Sequence, residues 1–349
     1  MTSTEQKSQI ILETRHFHPT RAECASAKKF SSGKREPRTF IRSLCNAERK
    51  PLPQGIKSRS PRHIEKAGII MKIKNLVKTS CLCVGAAAFT AGAIMFLVAP
   101  EKPSRAKAAP FFGRNFAHRG LHKRDRSIPE NSLLAFNCAA EKGYGIELDV
   151  RLSADGRAVV FHDDELPRCC GVPGCVEIMT WDEVKKLRLF GSDEGIPLLE
   201  DVFEVVDSRV PIIIEMKRGP RNKILCTRTL EVIRTYPGPV CVQSFDPFIL
   251  KWFRKNAPDL LRGQLTSSSD CLGDEVAGSV ACAILSKVLL NFVSRPNYIA
   301  HNTSKKSVFV RLSETLGALR FAWTSHSPKT EETSDAIIFE YYEPQPKFK

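Results

Sequence analysis

The chain has 349 residues, with 53 Lys or Arg against 38 Asp or Glu and a net charge of +15 at pH 7. The first 110 residues hold 21 of the basic residues and 7 of the acidic ones, so the rest of the chain, with 32 and 31, is nearly neutral. The nearly neutral charge of residues 111–349 argues against a nucleic-acid-binding protein. The basic N-terminal segment also lacks the interleaved aromatic residues or the cysteine–histidine spacing of a nucleic-acid-binding module, so we expect no nucleic-acid partner.

The N-terminal segment divides into two parts. Residues 1–70 are polar, basic and without a sustained apolar period, which predicts a disordered tail. Met71 is followed by Lys72, Lys74 and Lys78 and then by an uncharged apolar run, which is the layout of a signal sequence. Translation from Met71 is therefore an alternative to translation from residue 1.

The apolar run at residues 79–98 has the length of a membrane-spanning helix. Because basic residues are denser before it than after it, we predict a membrane anchor through residues 79–98, with the tail in the cytoplasm and the following domain outside. Ala106-Lys107-Ala108 is an alternative cleavage site, and cleavage near Ala108 would release a secreted protein. We favour the uncleaved anchor because the run is longer than a typical signal-sequence core, and we assign residues 71–110 to this segment and its linker.

Four short apolar runs between residues 111 and 345 each end on titratable groups. They are rich in β-branched residues and too short for helices, which is typical of buried parallel strands. Strand and helix patterns alternate over this range, so the sequence predicts an α/β fold, a TIM (β/α)8 barrel, whose strand ends meet at one mouth. The four runs are Phe116-Ala117-His118, Ile146-Glu147-Leu148-Asp149, Val159-Val160-Phe161-His162 and Ile212-Ile213-Ile214-Glu215.

Nine runs are strand candidates, one more than an eight-stranded barrel needs. The first run ends at residue 118. The other eight span 146–150, 158–162, 211–215, 240–244, 261–265, 298–300, 321–324 and 336–339. Helices are expected at 131–142, 181–187, 198–206, 222–235 and 247–256. The helix near 181 begins with Thr180 and Glu183 at the spacing of a capping box.

Three carboxylates are predicted to share the barrel lumen. Glu147 and Asp149 are two residues apart on one strand and therefore face the same side, and Glu215 ends another strand. Three oxygen donors without thiols suit a divalent cation of the hard type, Mg²⁺ or Ca²⁺. The structural alternative is that these carboxylates pair with Arg119, Lys217 and Arg151.

Two histidines, His118 and His162, end strands at the same predicted mouth. One imidazole can accept a proton from an attacking hydroxyl group while the other donates a proton to a leaving alkoxide. Arg119 and Lys217 would offset the charge of a phosphoryl group beside the cation. This combination indicates phosphodiester cleavage.

Seven motifs in order resemble the glycerophosphodiester phosphodiesterase family over residues 114–340. The resemblance implies a TIM barrel of the phospholipase C-like phosphodiesterase type that hydrolyses glycerophosphodiesters to sn-glycerol 3-phosphate and an alcohol. The motifs are His118-Arg119-Gly120, Pro129-Glu130-Asn131-Ser132, Glu147-Leu148-Asp149-Val150, Phe161-His162-Asp163, Glu215-Met216-Lys217, Gln243-Ser244-Phe245 and Trp323-Thr324.

The resemblance also implies residue roles. The acid–base pair would be His118 and His162, with Arg119 and Lys217 at the phosphate. The metal ligands would be Glu147, Asp149 and Glu215, and the walls of the glycerol pocket Phe245 and Trp323. Family members often end in an Ile-Thr-Asp strand, whereas this chain has Ala336-Ile337-Ile338-Phe339-Glu340 in that place. His122, His301 and His326 have no motif support, so we expect them at the surface or in loops.

Two other functions remain open at this stage. One is a phospholipase C- or D-type barrel that acts on intact lipid or lysolipid, which a nearby membrane anchor would suit. The other is a barrel that binds a phosphodiester without turnover. The sequence weighs against the second because every catalytic-type position carries a competent residue.

Overall fold

The computed structural model describes residues 61–268 and 279–349. Most of the expected N-terminal tail lies outside the described residues. Residues 61–70, which the sequence assigned to that tail, form the first turns of a long helix, α1 (Pro61–Val98). Proline at the first position of a helix is favourable because its missing N–H would have no partner there.

Eight parallel strands close into a barrel, as predicted. Around the barrel the order is β1, β2, β4, β5, β6, β7, β8 and β9, and β1 pairs with both β2 and β9. The bounds are β1 (Arg114–Ala117), β2 (Gly145–Leu152), β3 (Ala158–Val160), β4 (Ile212–Met216), β5 (Val240–Ser244), β6 (Leu261–Thr266), β7 (Tyr298–Asn302), β8 (Leu319–Ser325) and β9 (Ala336–Phe339).

The extra strand candidate is β3. It pairs antiparallel with the last three residues of β2 and takes no part in closing the barrel. The prediction that the run ending at His162 is a buried parallel strand was therefore wrong. A short apolar run carries no signal for strand direction, but the five residues between β2 and β3 are too few for the crossover that a parallel pair needs.

The described helices beyond α1 cover the barrel and its connections. The expected capping box at Thr180 and Glu183 is present, with the Glu183 carboxylate accepting from the Thr180 backbone N–H at 2.8 Å. The bounds are α2 (Arg105–Ala108), α3 (Leu133–Glu141), α4 (Pro167–Cys170), α5 (Trp181–Val184), α6 (Leu199–Val206), α7 (Asn222–Ile233), α8 (Pro247–Asn256), α9 (Ser279–Leu285), α10 (Asn291–Ser294) and α11 (Val308–Thr315).

The barrel has two ends, which we call the mouth, at the carboxyl ends of the strands, and the floor, at their amino ends. Residues 99–113 run across the floor. Phe111 is buried there and stacks on Phe116 of β1 at 6.2 Å between ring centroids. Lys107 donates to the carbonyl of Pro258, which precedes β6. The segment after α1 is therefore part of the packed barrel.

An ion pair between a buried arginine and a half-exposed glutamate fixes this segment to the floor. Arg262, the second residue of β6, is fully buried, and its Nη2 lies 2.7 Å from the Glu101 carboxylate. The same nitrogen donates to the carbonyl of Arg295 at 3.1 Å. Glu101 is the charged partner that offsets the guanidinium, so its loss would leave a buried cation with carbonyl partners alone.

We expect Glu101→Gln to destabilise the protein by about 2 kcal/mol, because hydrogen bonds to charged groups are worth about 1.5–3 kcal/mol and the buried Arg262 would lose its counter-charge. Urea unfolding of the detergent-solubilised chain measures the change. The control is Asp259→Asn, which breaks the exposed Arg234–Asp259 pair and should cost under about 1 kcal/mol. Equal costs for the two variants would contradict a structural role for Glu101.

Candidate active site

The turn after β1 places the His118 side chain and the Arg119 backbone N–H at the mouth. Arg119 and Gly120 both have left-handed backbone conformations, with φ of 53° and 80°. A side chain at Gly120 would also come within 2.8 Å of Ala135 Cβ. This turn directs the Arg119 backbone N–H at the Glu147 carboxylate, 3.3 Å away, and leaves the His118 side chain beside it.

Three carboxylates converge inside the barrel, as predicted. Asp149 of β2 is in register with Glu215 of β4, and Glu147 lies one inward position below Asp149. One oxygen from each lies within 4.8 Å of the others, and Glu147 and Asp149 are 1 % exposed. Burial, with Asp149 and Glu215 close by, raises the pKa of Glu147 well above its ordinary value.

Two cations contact this trio. Lys217 Nζ lies 3.0 Å from Glu215 and 3.9 Å from Asp149, and Arg119 Nε lies 3.7 Å from Asp149. Although burial opposes it, the charges of His162, Lys217 and Arg119 hold the pKa of Asp149 below its usual range. Two of the three ion-pair partners in the structural alternative, Arg119 and Lys217, thus do contact the carboxylates. The third proposed partner, Arg151, instead pairs with Asp164 and Glu177.

Amide groups hold the carboxylates in place. Asn131 donates to Asp149 at 3.0 Å, and Gln243 donates to Glu147 at 3.1 Å. Gln243 is supported from the floor side by Tyr298, whose hydroxyl lies 3.4 Å from its Oε1. The Tyr298 ring occupies the space over Gly263, where a Cβ atom would come within 2.0 Å of it.

The donor set fits a divalent cation. All three ligand atoms are carboxylate oxygens, which is the chemistry that Mg²⁺ and Ca²⁺ prefer. Burial raises the pKa of Glu147 most, and the charges of Asp149 and Glu215 raise it further against the opposing charge of Arg119. A bound cation would offset the repulsion among the three carboxylates.

His118 is oriented by a carboxylate from the far end of the chain. Its Nδ1 lies 3.2 Å from Glu340, which directly follows β9, while its Nε2 faces Glu147 at 4.0 Å. Burial, followed by the nearby Arg119, lowers the pKa of His118 to about 4. The same Glu340 oxygen lies 3.0 Å from His122 Nε2. The lowered pKa of His118 favours the neutral imidazole, and an ionised Glu340 can only accept a hydrogen bond, so we assign the imidazole proton to Nδ1.

His162 lies just after β3 and is held by the adjacent Asp163 and by Arg151 of β2. Its Nδ1 lies 2.7 Å from Asp163, and its carbonyl accepts from Arg151 Nε and Nη2 at 3.0 and 2.9 Å. Arg168 joins Asp163 to Glu130, which in turn binds Arg119 at 2.6 Å. This chain of charges connects the two sides of the mouth.

The two histidines line one cavity of about 130 Å³ at the mouth. Phe245 and Trp323 form part of its wall, with ring centroids 5.6 Å apart in an edge-to-face arrangement. Trp323 Nε1 donates to the carbonyl of Ala300, which fixes the indole. The predicted site residues that line the cavity directly are His118, Arg119, Glu147, His162, Glu215, Phe245 and Trp323. The other two are Asp149, the third member of the trio, and Lys217, which contacts Asp149 and Glu215.

Sequence reasoning did not give roles to the residues that orient the predicted groups. Glu340 follows the end of the last strand. A titratable residue at the end of an apolar run is the same signal by which the predicted histidines and carboxylates were found. Gln243 lies on a strand, and Asp163 is adjacent to His162. Glu130 and Asn131 stand before a helix, and no pattern there indicates which group they bind.

One expectation about the isolated histidines was wrong. His301 lies on β7 and is 1 % exposed, with its Nδ1 2.6 Å from the Asn302 carbonyl. His122 lies in a loop, as expected, although its side chain is only 5 % exposed beside Glu340. Strand and strand-end positions become buried when helices and loops pack over them. His326 is exposed, as expected.

Comparison with known proteins agrees with this geometry. The sequence profile of the glycerophosphoryl diester phosphodiesterase family matches residues 118–340. An uncharacterized Bacillus subtilis protein, YqiK, is 35 % identical over 176 residues, which are 47 % of this chain and 71 % of that protein. A glycerophosphodiester phosphodiesterase of Caldanaerobacter subterraneus is 38 % identical over 160 residues, which are 43 % of this chain and 65 % of that protein.

Among solved structures, an Oleispira antarctica phosphodiesterase in complex with sn-glycerol 3-phosphate superposes with a TM-score of 0.54 at 24 % identity. The match covers 66 % of this chain and 94 % of that one, and it shows the shared barrel fold. The family profile spans well over half of the chain and includes every site residue described above. The chain therefore belongs to the glycerophosphoryl diester phosphodiesterase family of enzymes.

Proposed function

We propose that this protein hydrolyses glycerophosphodiesters to sn-glycerol 3-phosphate and an alcohol. The observation that carries the proposal is the cavity at the mouth, where two imidazoles oriented by carboxylates face a buried carboxylate trio. A cavity of 130 Å³ suits a small polar group such as glycerol phosphate. The family membership supports the reaction class.

Mg²⁺ or Ca²⁺ would be held by Glu147, Asp149 and Glu215. When bound, the cation would offset negative charge on the phosphoryl oxygens. Arg119 is a further phosphate ligand in this proposal, because its buried Nε has no hydrogen-bond partner among the described residues and remains available as a donor. Lys217 adds a second fixed positive charge on the other side of the trio.

His118 acts as the base. Because Nδ1 faces Glu340, its Nε2 carries the lone pair and takes a proton from the attacking water molecule. The new phosphorus–oxygen bond forms as the bond to the alcohol breaks, and His162 gives its Nε2 proton to the departing oxygen. Asp163 keeps the His162 ring in the orientation that this donation requires.

A second candidate substrate is a lysophospholipid, because an apolar cavity of about 410 Å³ adjoins the catalytic one. The two cavities share Glu215 and Phe245 as lining residues. The larger one is walled mainly by Phe248, Ile284 and Leu285, with Lys217 at its polar end. A single acyl chain could occupy this space while the phosphodiester lies at the trio.

We also propose that α1 anchors the enzyme in a membrane, with the barrel outside the cytoplasm. Residues 68–98 of α1 are long and apolar enough to cross a bilayer. Lys72, Lys74 and Lys78 lie before the uncharged run, which fits a cytoplasmic start. Cleavage near Ala108 is the alternative, but Ala108 is buried against the barrel and the preceding Glu101 holds Arg262.

We expect His162→Ala and Glu147→Gln each to lower turnover of glycerophosphocholine at least about 100-fold, because one removes a proton donor and the other a metal ligand. Release of glycerol 3-phosphate by the full chain in detergent is measured first in EDTA and then with Mg²⁺ or Ca²⁺. Asp182→Asn, at an exposed position whose ion-pair partner is Lys185, should keep wild-type activity. Full activity in both site variants, or in EDTA, would overturn the assignment.

Binding of the cation has a readout that does not depend on catalysis. Without a cation, Glu147→Gln should raise the melting temperature because it relieves repulsion within the buried trio. Saturating Mg²⁺ or Ca²⁺, at about 100 times its Kd, should stabilise the wild type by about 2.7 kcal/mol and the variant much less. Differential scanning calorimetry in EDTA and in each cation tests this, and an equal cation response in the two proteins would contradict a metal site at the trio.

The lysophospholipid candidate is tested by filling the apolar cavity. Ile284→Trp should lower turnover of lysophosphatidylcholine at least about tenfold while glycerophosphocholine turnover changes less than about twofold. The control is Val280→Trp, an exposed position on the same helix that does not line the cavity. A parallel fall for both substrates, or no activity of the wild type on lysophosphatidylcholine, would remove this candidate.

A further inference from the structure

The membrane helix α1 leaves its apolar surface uncovered. Leu82 is 75 % and Phe89 80 % exposed, and 6 % of the most apolar 18-residue window is buried within the protein. The 31 residues from Gly68 to Val98 extend about 46 Å at 1.5 Å per residue, which exceeds the hydrocarbon thickness of a bilayer, about 30 Å. A lipid bilayer is the occupant that this length and composition fit.

The carboxyl end of α1, in contrast, is packed against the barrel. Val98 is fully buried in an apolar cluster that includes Ile299 of β7 and Val310 of α11. The rings of Phe96 and Phe292 lie 5.8 Å apart. The helix therefore ends in an apolar contact with the domain that it anchors.

Polar groups of the barrel satisfy the last carbonyls of α1. Arg295 donates to the carbonyls of Phe96 and Ala99 at 3.0 and 2.9 Å, and Asn291 donates to that of Val98 at 3.1 Å. The guanidinium of Arg295 also lies 4.7 Å from the centroid of the Phe96 ring. Carbonyls at a helix end need partners from outside the helix, so these contacts fix the end of α1 to the barrel.

These contacts lie towards the floor. Arg295 and Pro296 immediately precede β7, and the backbone N–H of Glu101 donates to the Pro296 carbonyl at 3.0 Å. Lys102 lies beside Gly317, at the floor end of α11. The mouth is at the opposite ends of the strands, about 17–23 Å away for strands of five to seven residues.

We infer that the barrel is mounted with its floor towards the bilayer and its mouth, with the catalytic cavity, facing away from it. This inference rests on the proposed membrane anchoring and on the proposed hydrolysis. The inference extends the proposed hydrolysis by stating where the substrate comes from. The enzyme takes phosphodiesters that arrive from the aqueous phase, as soluble glycerophosphodiesters or dispersed single-chain lipids, and does not act on lipids embedded in the membrane that anchors it.

The test uses a photo-crosslinking residue at each end of one helix. Benzoylphenylalanine replaces Leu316, at the floor end of α11, or Val308, at its mouth end; both are apolar and exposed. The full chain is reconstituted in phosphatidylcholine liposomes and irradiated, and lipid adducts are measured by mass spectrometry. We expect adducts at position 316 at least tenfold more often than at position 308.

Equal adducts at the two positions, more at position 308, or none at either would overturn the inference. The same liposomes are assayed for hydrolysis of glycerophosphocholine in solution, which tests the proposed reaction independently of orientation. Recovery of the protein in the supernatant after cleavage of α1 would also overturn the mounting while leaving the reaction intact. The full chain without benzoylphenylalanine, irradiated in the same liposomes, serves as the control and should give no lipid adducts.

Discussion

The burial of three carboxylates in the lumen of the barrel is the constraint on which the mouth is built. Glu147, Asp149 and Glu215 would be expelled into water or protonated if nothing opposed their mutual repulsion. The opposing groups are in place: two cations contact the trio and two amides donate to it. The three carboxylate oxygens that lie close together are the donor set that the proposed divalent cation prefers.

This constraint extends down the lumen. Gln243 can reach Glu147 because Tyr298 supports it, and Tyr298 fits because residue 263 has no side chain. The apolar layer below, with Phe116 and Phe111, separates the charged layer from the floor. The charged mouth and the linker that covers the floor are thus the two ends of one packed column of side chains.

The barrel and the main site residues could be predicted from the sequence because each strand is a short apolar run that ends on a titratable group. The bounds of β5, α8 and β9 agree with the predicted ones to the residue. Alternation and composition carried no signal for the antiparallel direction of β3, but the short connection from β2 did, because a parallel crossover needs about a dozen residues. Contacts between distant segments, such as Glu101 with Arg262, have no local signal either.

The contact between His118 and Glu340 has a consequence for how the protein becomes active. The two residues are separated by 222 positions, at the end of the first barrel strand and just after the last one. The orientation of this imidazole therefore depends on the final strand closing against the first. A chain still emerging from the ribosome, with Glu147, Asp149 and Glu215 already synthesised, lacks this orientation until its last residues dock. In the proposed reaction His118 is the base, so the onset of hydrolysis would report the completion of folding.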